Sequence, residues 1–308
     1  MKMISLSYRL SRRHDLDAPR HARQGMIFLQ GLTAIMYFSR WLLASIFLLP
    51  MLVVTDCRAN TYTVGVVPQF EIRRMFQIWQ PILNELGKRT GDHFILEVPL
   101  TVPDFEVELD KGTYDFIYAN PYHVMRAKKY IPLVKDKDPL HGILVVRKDS
   151  PIHTLKELDG KTLAIPSPNA LGASLLLRAD LEHLYGVKMV MVNCRTHSSV
   201  YLNVLNKLTD AGGGVEKTFD GQSQAVRDAL KIIYTTRDMP SHPFAAHQRI
   251  PKAVREKIRG AFLTFAATPA GKTLLDEVPM KTPVPAFLDE YMVMRKWGLE
   301  SYWVNGQD

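Results

Sequence analysis

Polar or conformationally unusual residues follow four apolar, strand-like segments of this sequence. They lie in the loops at 118–123, 167–174, 196–199 and 212–216. Ligands of α/β proteins bind beyond the carboxyl ends of the strands, so these loops are expected to meet at one site. The candidate ligand contacts that they supply are Tyr118, Asn120, Tyr122, Ser167, Asn169, Ala170, Leu171, Gly172, His197, Ser198, Gly213 and Glu216.

The loop at 167–174 has the pattern of a strand that leads into a helix. Ser167 is suited to cap the helix and Pro168 to occupy its first position, while Gly186 suits the left-handed residue after its end. Free N–H groups and the positive dipole end would then point to one spot, which predicts an anion site. The alternative is an ordinary tight connection between a strand and a helix.

His197 is the single residue with the clearest chemistry. It follows Thr196 at a predicted helix start, where a neutral imidazole can donate to an oxyanion; a surface or capping histidine is the alternative. Tyr118 and Tyr122 either line the cleft or belong to the core. The glycines at 212–214 are not followed by the lysine of a phosphate loop, so they indicate close backbone approach, between lobes or to a ligand.

The composition argues against a nucleic-acid partner and gives no support for catalysis. The 308 residues are 46% hydrophobic and 23% charged, as in ordinary globular proteins. Residues 1–59 hold eight basic residues against three acidic ones, a net of +5 out of a total of +8, and no basic run remains in the rest. The motifs GxSxG, HExxH, CxxC and a strand-following GxGxxG are absent, and the ten histidines lack metal spacing. We therefore predict no enzyme, no cofactor and no bound metal.

Residues 1–59 are predicted to be a leader with a signal peptide. Its apolar segment at 41–54 is too short for a transmembrane helix, which needs about 20 residues, and small residues precede a cleavage point after Ala59. The sequence thus predicts a periplasmic protein. Met26 or Met36 as the initiator, a lipid anchor at Cys57 and an uncleaved anchor are the alternatives.

Strands and helices alternate along the rest of the chain, which predicts an α/β protein with parallel sheets. The segments 108–121 and 204–214 are similar helix–turn–strand units about 95 residues apart and indicate two lobes of like construction. The predicted strands are 62–67, 93–99, 114–118, 142–148, 163–165, 189–192, 210–215 and 232–235. The predicted helices include 71–89, kinked or split at Pro81, together with 103–112, 168–185, 196–207, 254–266, 269–278 and 287–294. A further helix is predicted to follow the loop at 119–123 and to run through Lys129.

Several segments in combination resemble the phosphate-, phosphite- and phosphonate-binding proteins of ABC transporters. They span residues 60–308 and include YTVGVVPQFEIRRMFQIWQPILNELGKRTG, GTYDFIYANPYHV, GILVVRKDSPIHTLKELDGKTLAIPSPNA and THSSVYLNVLNKLTDAGGGVEKTF. The resemblance implies a two-lobed type II periplasmic-binding-protein fold with two crossover strands as a hinge. Lobe 1 would comprise 60–144 plus 239–308 and lobe 2 would comprise 145–238, with GILVVRK as the first crossing and 234–247 as the second.

The same resemblance implies a monomeric solute-binding component that clamps a small anion between its lobes and delivers it to an ABC permease in the inner membrane. A periplasmic receptor that feeds a sensor kinase is the alternative, and an exported enzyme on the same scaffold is a third reading. Neighbouring permease and ATPase genes would favour transport, and a kinase gene would favour sensing.

The family's ligand-binding residues carry over only in part. His197 matches a binding histidine, whereas the hydroxyl-rich DPxSTSG loop becomes SPNALG at 167–172. A family tyrosine appears as Phe105, the aspartate that holds a ligand amine appears as His242, and Glu216 is the nearest analogue of an acidic residue. We therefore add His242 to the candidate contacts and expect a small oxyanion in place of an aminoalkyl ligand.

Overall fold

A computed structural model describes residues 59–278 and 280–305. The predicted leader up to residue 58, with its apolar segment at 41–54 and Cys57, lies outside these residues. Within them, no helix combines the length and the apolar character that a membrane span requires.

The described strands and helices alternate as the sequence predicts. The strands are β1 (Thr61–Val66), β2 (His93–Glu97), β3 (Phe116–Tyr118), β4 (Tyr130–Asp136), β5 (Gly142–Arg147), β6 (Thr162–Ile165), β7 (Val190–Asn193), β8 (Ala211–Val215), β9 (Leu230–Thr235), β10 (Phe244–His247) and β11 (Pro283–Pro285). The α-helices are α1 (Ile72–Thr90), α2 (Val102–Lys111), α3 (Pro121–Ala127), α4 (Leu176–Tyr185), α5 (His197–Leu205), α6 (Glu216–Asp220), α7 (Gln224–Ala229), α8 (Lys252–Ala266), α9 (Pro269–Asp276) and α10 (Leu288–Met292). Short 3₁₀ turns lie at Leu155–Leu158, Val293–Trp297 and Leu299–Tyr302, and a π turn at Leu171–Leu175 precedes α4.

The strands form two sheets, one in each lobe. The first has the order β11-β4-β10-β3-β1-β2 and the second the order β7-β6-β8-β5-β9. The chain passes between them twice, at 137–141 and at 236–243, and a bridge between Leu140 and Met239 joins the two crossings. The two-lobed α/β architecture predicted from the sequence is therefore confirmed. The expectation of parallel sheets is wrong, because each sheet contains both parallel and antiparallel pairs.

The first crossing lies a few residues earlier than predicted. All of β5 pairs with β8 and β9 of the second sheet, so the segment GILVVRK belongs to that sheet and the connection before it crosses. The lobe limits at 144/145 and 238/239 remain a prediction, and we propose moving the first of them into 137–141.

The predicted internal similarity also appears in the pairing of the strands. In the first sheet β3 lies between parallel β1 and antiparallel β10, and in the second β8 lies between parallel β6 and antiparallel β5. Each strand follows a helix and a left-handed residue, Gly112 with φ 78° and Lys207 with φ 59°. Each lobe thus has the same arrangement around one strand, β3 in the first lobe and β8 in the second.

Pro81 does not split α1, contrary to one of the two expectations. The proline removes the N–H that would bond the carbonyl of Gln77, but Gln77 is exposed, so water can satisfy that oxygen. The opposite face carries Met75, Trp79 and Ile82 into a core shared with the first sheet and α8. Burial of that apolar face outweighs the loss of one hydrogen bond.

Two strands rest against the π turn with no side chain between the backbones. A Cβ added at Gly213 would lie 2.0 Å from the carbonyl oxygen of Ala173, and one added at Gly142 would lie 2.2 Å from that of Gly172. The glycine run therefore serves close backbone approach, as predicted, but within one lobe. Its neighbour Gly214 likewise makes room for the ring of Tyr201.

The substitution Gly213→Ala should destabilise the protein because its Cβ would overlap a backbone oxygen that cannot rotate away. We expect a loss of about 3 kcal/mol in the free energy of unfolding, measured by urea denaturation. Gly260→Ala is the control, because that glycine lies in α8 with no atom within 4 Å of an added Cβ. It should gain about 0.5–1 kcal/mol from helix propensity. Equal stabilities of the two variants would contradict the proposed contact.

Candidate functional site

A cavity of about 40 Å³ lies between the lobes beside the two crossings. Loops from both lobes and the crossing residues Leu140 and Met239 form its wall. The remaining lining residues are Val67, Pro68, Gln69, Val102, Asn120, Pro121, His123, Pro166, Ala170, Leu171, Gly172, Ala173, His197, Val215 and His242. Six predicted contacts are among them, namely Asn120, Ala170, Leu171, Gly172, His197 and His242.

The helix at the predicted anion loop begins later than expected. Ser167 does not cap it; its Oγ accepts a hydrogen bond from the amide of Asn169 at 3.3 Å inside a turn. The helix starts at Leu171 because the carbonyl of Ala170 accepts from the amides of both Ser174 (2.9 Å) and Leu175 (3.0 Å). Gly186 ends it with φ 65°, as predicted.

This wide first turn moves the expected anion site along the chain. The amides of Leu171, Gly172 and Ala173 precede the first intrahelical bonds, so they have no acceptor within the helix. All three residues line the cavity. The donors predicted at the start of this helix are therefore present, but they come from residues 171–173 and not from 168–170.

His197 lies at the start of α5, facing the cavity from the same lobe. The side chain of Thr196 caps the helix by accepting from the amide of Ser199 at 3.1 Å. The imidazole of His197 is 7% exposed, and burial lowers its pKa to about 4. Its Nδ1 has no hydrogen-bond partner among the described residues. The ring is therefore neutral at pH 7 and has a ring nitrogen available to a ligand.

His242 enters the cavity from the second crossing. Burial, and then the neighbouring His197, His123 and Lys217, lower its pKa to about 3. Its Nε2 lies 3.4 Å from the side-chain nitrogen of Gln69, and its ring stacks on Tyr118 at 5.5 Å between centroids. With the Gln69 amide donating to Nε2, the proton of the neutral ring lies on Nδ1, which has no partner in the described part of the chain.

His123 is a cavity residue that the sequence analysis missed. It lies in the first turn of α3, three residues after the capping Asn120, and only 1% of its surface is exposed. Its Nε2 lies 2.9 Å from Oε1 of Glu106, although the approach is too bent to count as a hydrogen bond. Gln69 was also missed. A signal existed for both, because each follows the end of a strand of the first sheet.

The other predicted contacts lie around the cavity and do not line it. Tyr118 packs beneath His242, and Tyr122 donates to Glu300 at 2.7 Å. Asn169 donates to Oε2 of Glu106 at 2.9 Å and exchanges two bonds with the backbone of Val304. Ser167 holds its own turn, and Ser198 follows His197 on α5. Gly213 lies against Ala173, and Glu216 contacts His141 at 3.1 Å.

Polar contacts join the lobes on both sides of the cavity. Asn120 donates to the carbonyl of Asn169 at 3.2 Å on one side. On the other, Lys217 of lobe 2 forms an ion pair with the fully buried carboxylate of Asp136. Burial alone would raise the pKa of Asp136, but the hydrogen bond and charge of Lys217 and two backbone amides lower it below its usual value. The charged pair thus stabilises the folded, closed arrangement at neutral pH.

A sequence model of one family matches residues 64–291. It is described as the periplasmic substrate-binding protein of phosphonate ABC transporters. This match covers well over half of the chain.

Solved structures share the fold at low sequence identity. A binding protein component of an ABC phosphonate transporter from Pseudomonas aeruginosa is 16% identical, with a TM-score of 0.67 over 78% of this chain and 85% of that one. PhnD1 from Prochlorococcus marinus, solved with methylphosphonate, is 14% identical, with a TM-score of 0.69 over 77% and 97%. These likenesses confirm the two-lobed periplasmic-binding-protein fold.

A curated sensor kinase is similar to part of the chain. The tetrathionate sensor histidine kinase TtrS of Salmonella typhimurium is 24% identical over 131 residues, which are 38% of this chain and 22% of the kinase. The match thus spans less than a quarter of that protein.

Replacement of Lys217 by Met should leave the buried Asp136 carboxylate without its counter-charge. We expect a loss of about 3 kcal/mol in the free energy of unfolding at pH 7. The difference from the wild type should shrink as the pH falls through the folded-state pKa of Asp136, because a protonated carboxyl needs no cation. Lys111→Met is the control, because its pair with Glu108 is exposed and its loss should leave the free energy of unfolding nearly unchanged. A loss equal to the control at every pH would contradict the role of this pair.

Proposed function

The chain belongs to the family of periplasmic substrate-binding proteins of phosphonate ABC transporters, and from this premise we propose that it binds a small phosphorus oxyanion with one apolar substituent. Members of this family are transport components and not enzymes; they bind small anions and work with ABC permeases. We place the ligand in the cavity between the lobes. Methylphosphonate and phosphite, with a P–CH₃ and a P–H bond, are the simplest ligands of this kind.

The polar part of the cavity supports an anionic ligand. Amides at 171–173 and the side chains of Gln69 and Asn120 supply N–H donors, and the neutral rings of His197 and His242 add more. Among the described residues that line the cavity there is no Asp or Glu to repel the anion. The convergence of helix-terminal amides and neutral histidines is the observation that carries the proposal.

The apolar part of the cavity supports the choice among phosphorus anions. Val102, Leu140, Val215 and Met239 line it together with prolines and alanines. A fourth oxygen, as in phosphate, would lose its water against this wall and cost about 1–3 kcal/mol. A P–H or P–CH₃ group needs no partner there. The volume of about 40 Å³ is more than a single water needs, so the cavity can take a small head group.

An aminoalkyl phosphonate fits this cavity less well. The resemblance places His242 where the binders of such ligands carry an aspartate, and burial keeps this ring neutral. A ligand ammonium would therefore lose its hydration with no carboxylate on the cavity wall to replace it.

Residues 1–59 would direct export to the periplasm, where the protein would act as a monomer that delivers its ligand to an inner-membrane ABC permease. Family membership supports the compartment and the kind of partner. The two crossings would serve as the hinge of closure.

A panel of anions tests the ligand assignment by isothermal calorimetry and thermal shift. Methylphosphonate and phosphite should bind most tightly, phosphate about ten- to hundredfold more weakly, and 2-aminoethylphosphonate and sulfate more weakly still. A ligand at 100 times its dissociation constant should add about 2.7 kcal/mol of stability. Should no phosphorus anion shift the unfolding transition, the proposal is wrong.

The role of His197 is tested with His197→Ala against His153→Ala. His197→Ala removes a ring from the cavity wall and should weaken binding of methylphosphonate at least tenfold. His153→Ala removes an exposed ring that does not line the cavity, and the affinity should stay unchanged. Equal affinities would remove His197 from the site.

A receptor that reports to a histidine kinase is the second candidate, favoured by the partial match to the tetrathionate sensor kinase. Tetrathionate is an elongated sulfur oxyanion, so it belongs in the same panel. Tighter binding of tetrathionate than of every phosphorus anion would favour this second role. Neighbouring genes for a permease and an ATPase would favour transport, and a kinase gene would favour sensing.

A further inference from the structure

We propose that anion binding is coupled to protonation of His123, and that Glu106 is the positioning residue that balances the resulting positive charge. The inference rests on the proposed function, because it requires an anion in the cavity. It concerns a pair of residues that lies outside the family-derived contacts described above.

The first step is the charge of the cavity wall. The lining residues in the described part of the chain include neither Lys nor Arg. The nearby Lys217 is engaged by Asp136, and Arg178 donates to the carbonyls of Pro168 and Tyr302. An anion that enters the cavity therefore loses its water without meeting a fixed cation, and a proton taken up by the wall would supply the missing charge.

The second step is the choice of ring. Burial lowers the pKa of His197 to about 4, and burial together with the neighbouring His197, His123 and Lys217 lowers the pKa of His242 to about 3. His123 differs because Oε1 of Glu106 lies 2.9 Å from its Nε2. A carboxylate at this distance favours the charged form of the ring. Of the three cavity histidines, His123 is therefore the one whose protonation the surroundings compensate.

The third step is the state of Glu106 itself. Its Oε2 accepts from the side chain of Asn169 at 2.9 Å, whereas Oε1 is buried and has no hydrogen-bond partner among the described residues. Two aromatic rings also lie near His123, Phe105 with ring centroids 6.4 Å apart and Trp303 at 5.5 Å, and His242 is close enough to interact with it electrostatically. Beyond Trp303, Arg126 is paired with Glu300. Glu106 is thus the charged group placed directly against the ring.

The proton balance is simple. Neither ring nitrogen of His123 has a hydrogen-bond partner among the described residues, and Nε2 is the one that faces Glu106. When the anion enters, Nδ1 takes a proton from solvent, and the imidazolium lies between the anion and the carboxylate. The proton returns to solvent when the anion leaves. Since binding takes up a proton, affinity rises as the pH falls, by up to about tenfold per pH unit for one proton.

Calorimetry measures this proton directly. Methylphosphonate is titrated into the full-length protein at pH 7.5 in two buffers of different ionisation enthalpy, for the wild type, Glu106→Gln, His123→Asn and the control Glu108→Gln. Glu108 lies on the same helix α2 but bonds Lys111 and Thr113 at the surface. Because methylphosphonate itself titrates near neutral pH, proton counts are compared between proteins and not with zero.

The wild type and Glu108→Gln should take up close to one proton more than Glu106→Gln and His123→Asn. Their affinity should also fall more steeply between pH 6.5 and pH 8.5. In Glu106→Gln the new side chain can still accept a hydrogen bond from Asn169. This variant therefore removes the charge of the carboxylate while it keeps the contact. Equal proton counts and parallel pH profiles in all four proteins would overturn the inference while leaving the ligand assignment intact. Absence of binding by every anion of the panel would overturn the proposed function and this inference with it.

Discussion

The position of the proposed anion site depends on the direct contact between the π turn and the strands beneath it. With glycine at 142 and 213, the backbones of β5 and β8 approach the carbonyls of Gly172 and Ala173 without a side chain between them. The turn is therefore pressed against the second sheet at the point where the chain crosses between the lobes. Because one carbonyl, that of Ala170, accepts two amides, the three preceding amides are left for the cavity. Backbone packing thus supplies donors that the side chains of this loop do not.

This close packing also determines how charge is handled around the cavity. Little space remains for water, so ionised groups are stable only where they have partners. Lys217 lies against Asp136 and joins the lobes, and Arg178 donates to the carbonyl of Pro168 in the loop before the turn. These two cationic side chains therefore hold the structure together, while imidazole rings and amides face the cavity.

The sequence predicted those parts of the fold whose causes are local. The cap at Thr196, the left-handed Gly186 and the strands of both lobes follow from propensity and periodicity, and the lobes follow from the repeated unit. β4, β10 and β11 were missed because they are short or contain proline, and they are stabilised by pairing with distant strands.

The sequence analysis placed the start of the helix in the site at Pro168 and not at Leu171, for a related reason. Ser167 and Pro168 satisfy the local rules for a helix start, but the turn is set by tertiary contacts with glycines that lie 30 or more residues away. His123 and Gln69 follow strand ends, yet a sequence does not show which way the side chains of a loop point. The pairing of His123 with Glu106 depends on how two separate helices pack, which no local pattern encodes.

Glu106 connects ligand binding to the closure of the lobes. One carboxylate oxygen accepts from Asn169 of the opposite lobe, a bond that exists only when the lobes are together, and the other faces His123 of its own lobe. Closure therefore brings a donor to the carboxylate and removes water from it, which strengthens its attraction for a positive charge on His123. An anion that favours this charge favours the closed form by the same free energy, because the two equilibria share one group. A site without a fixed cation can thus discriminate between empty and occupied states more sharply than one that carries a permanent charge.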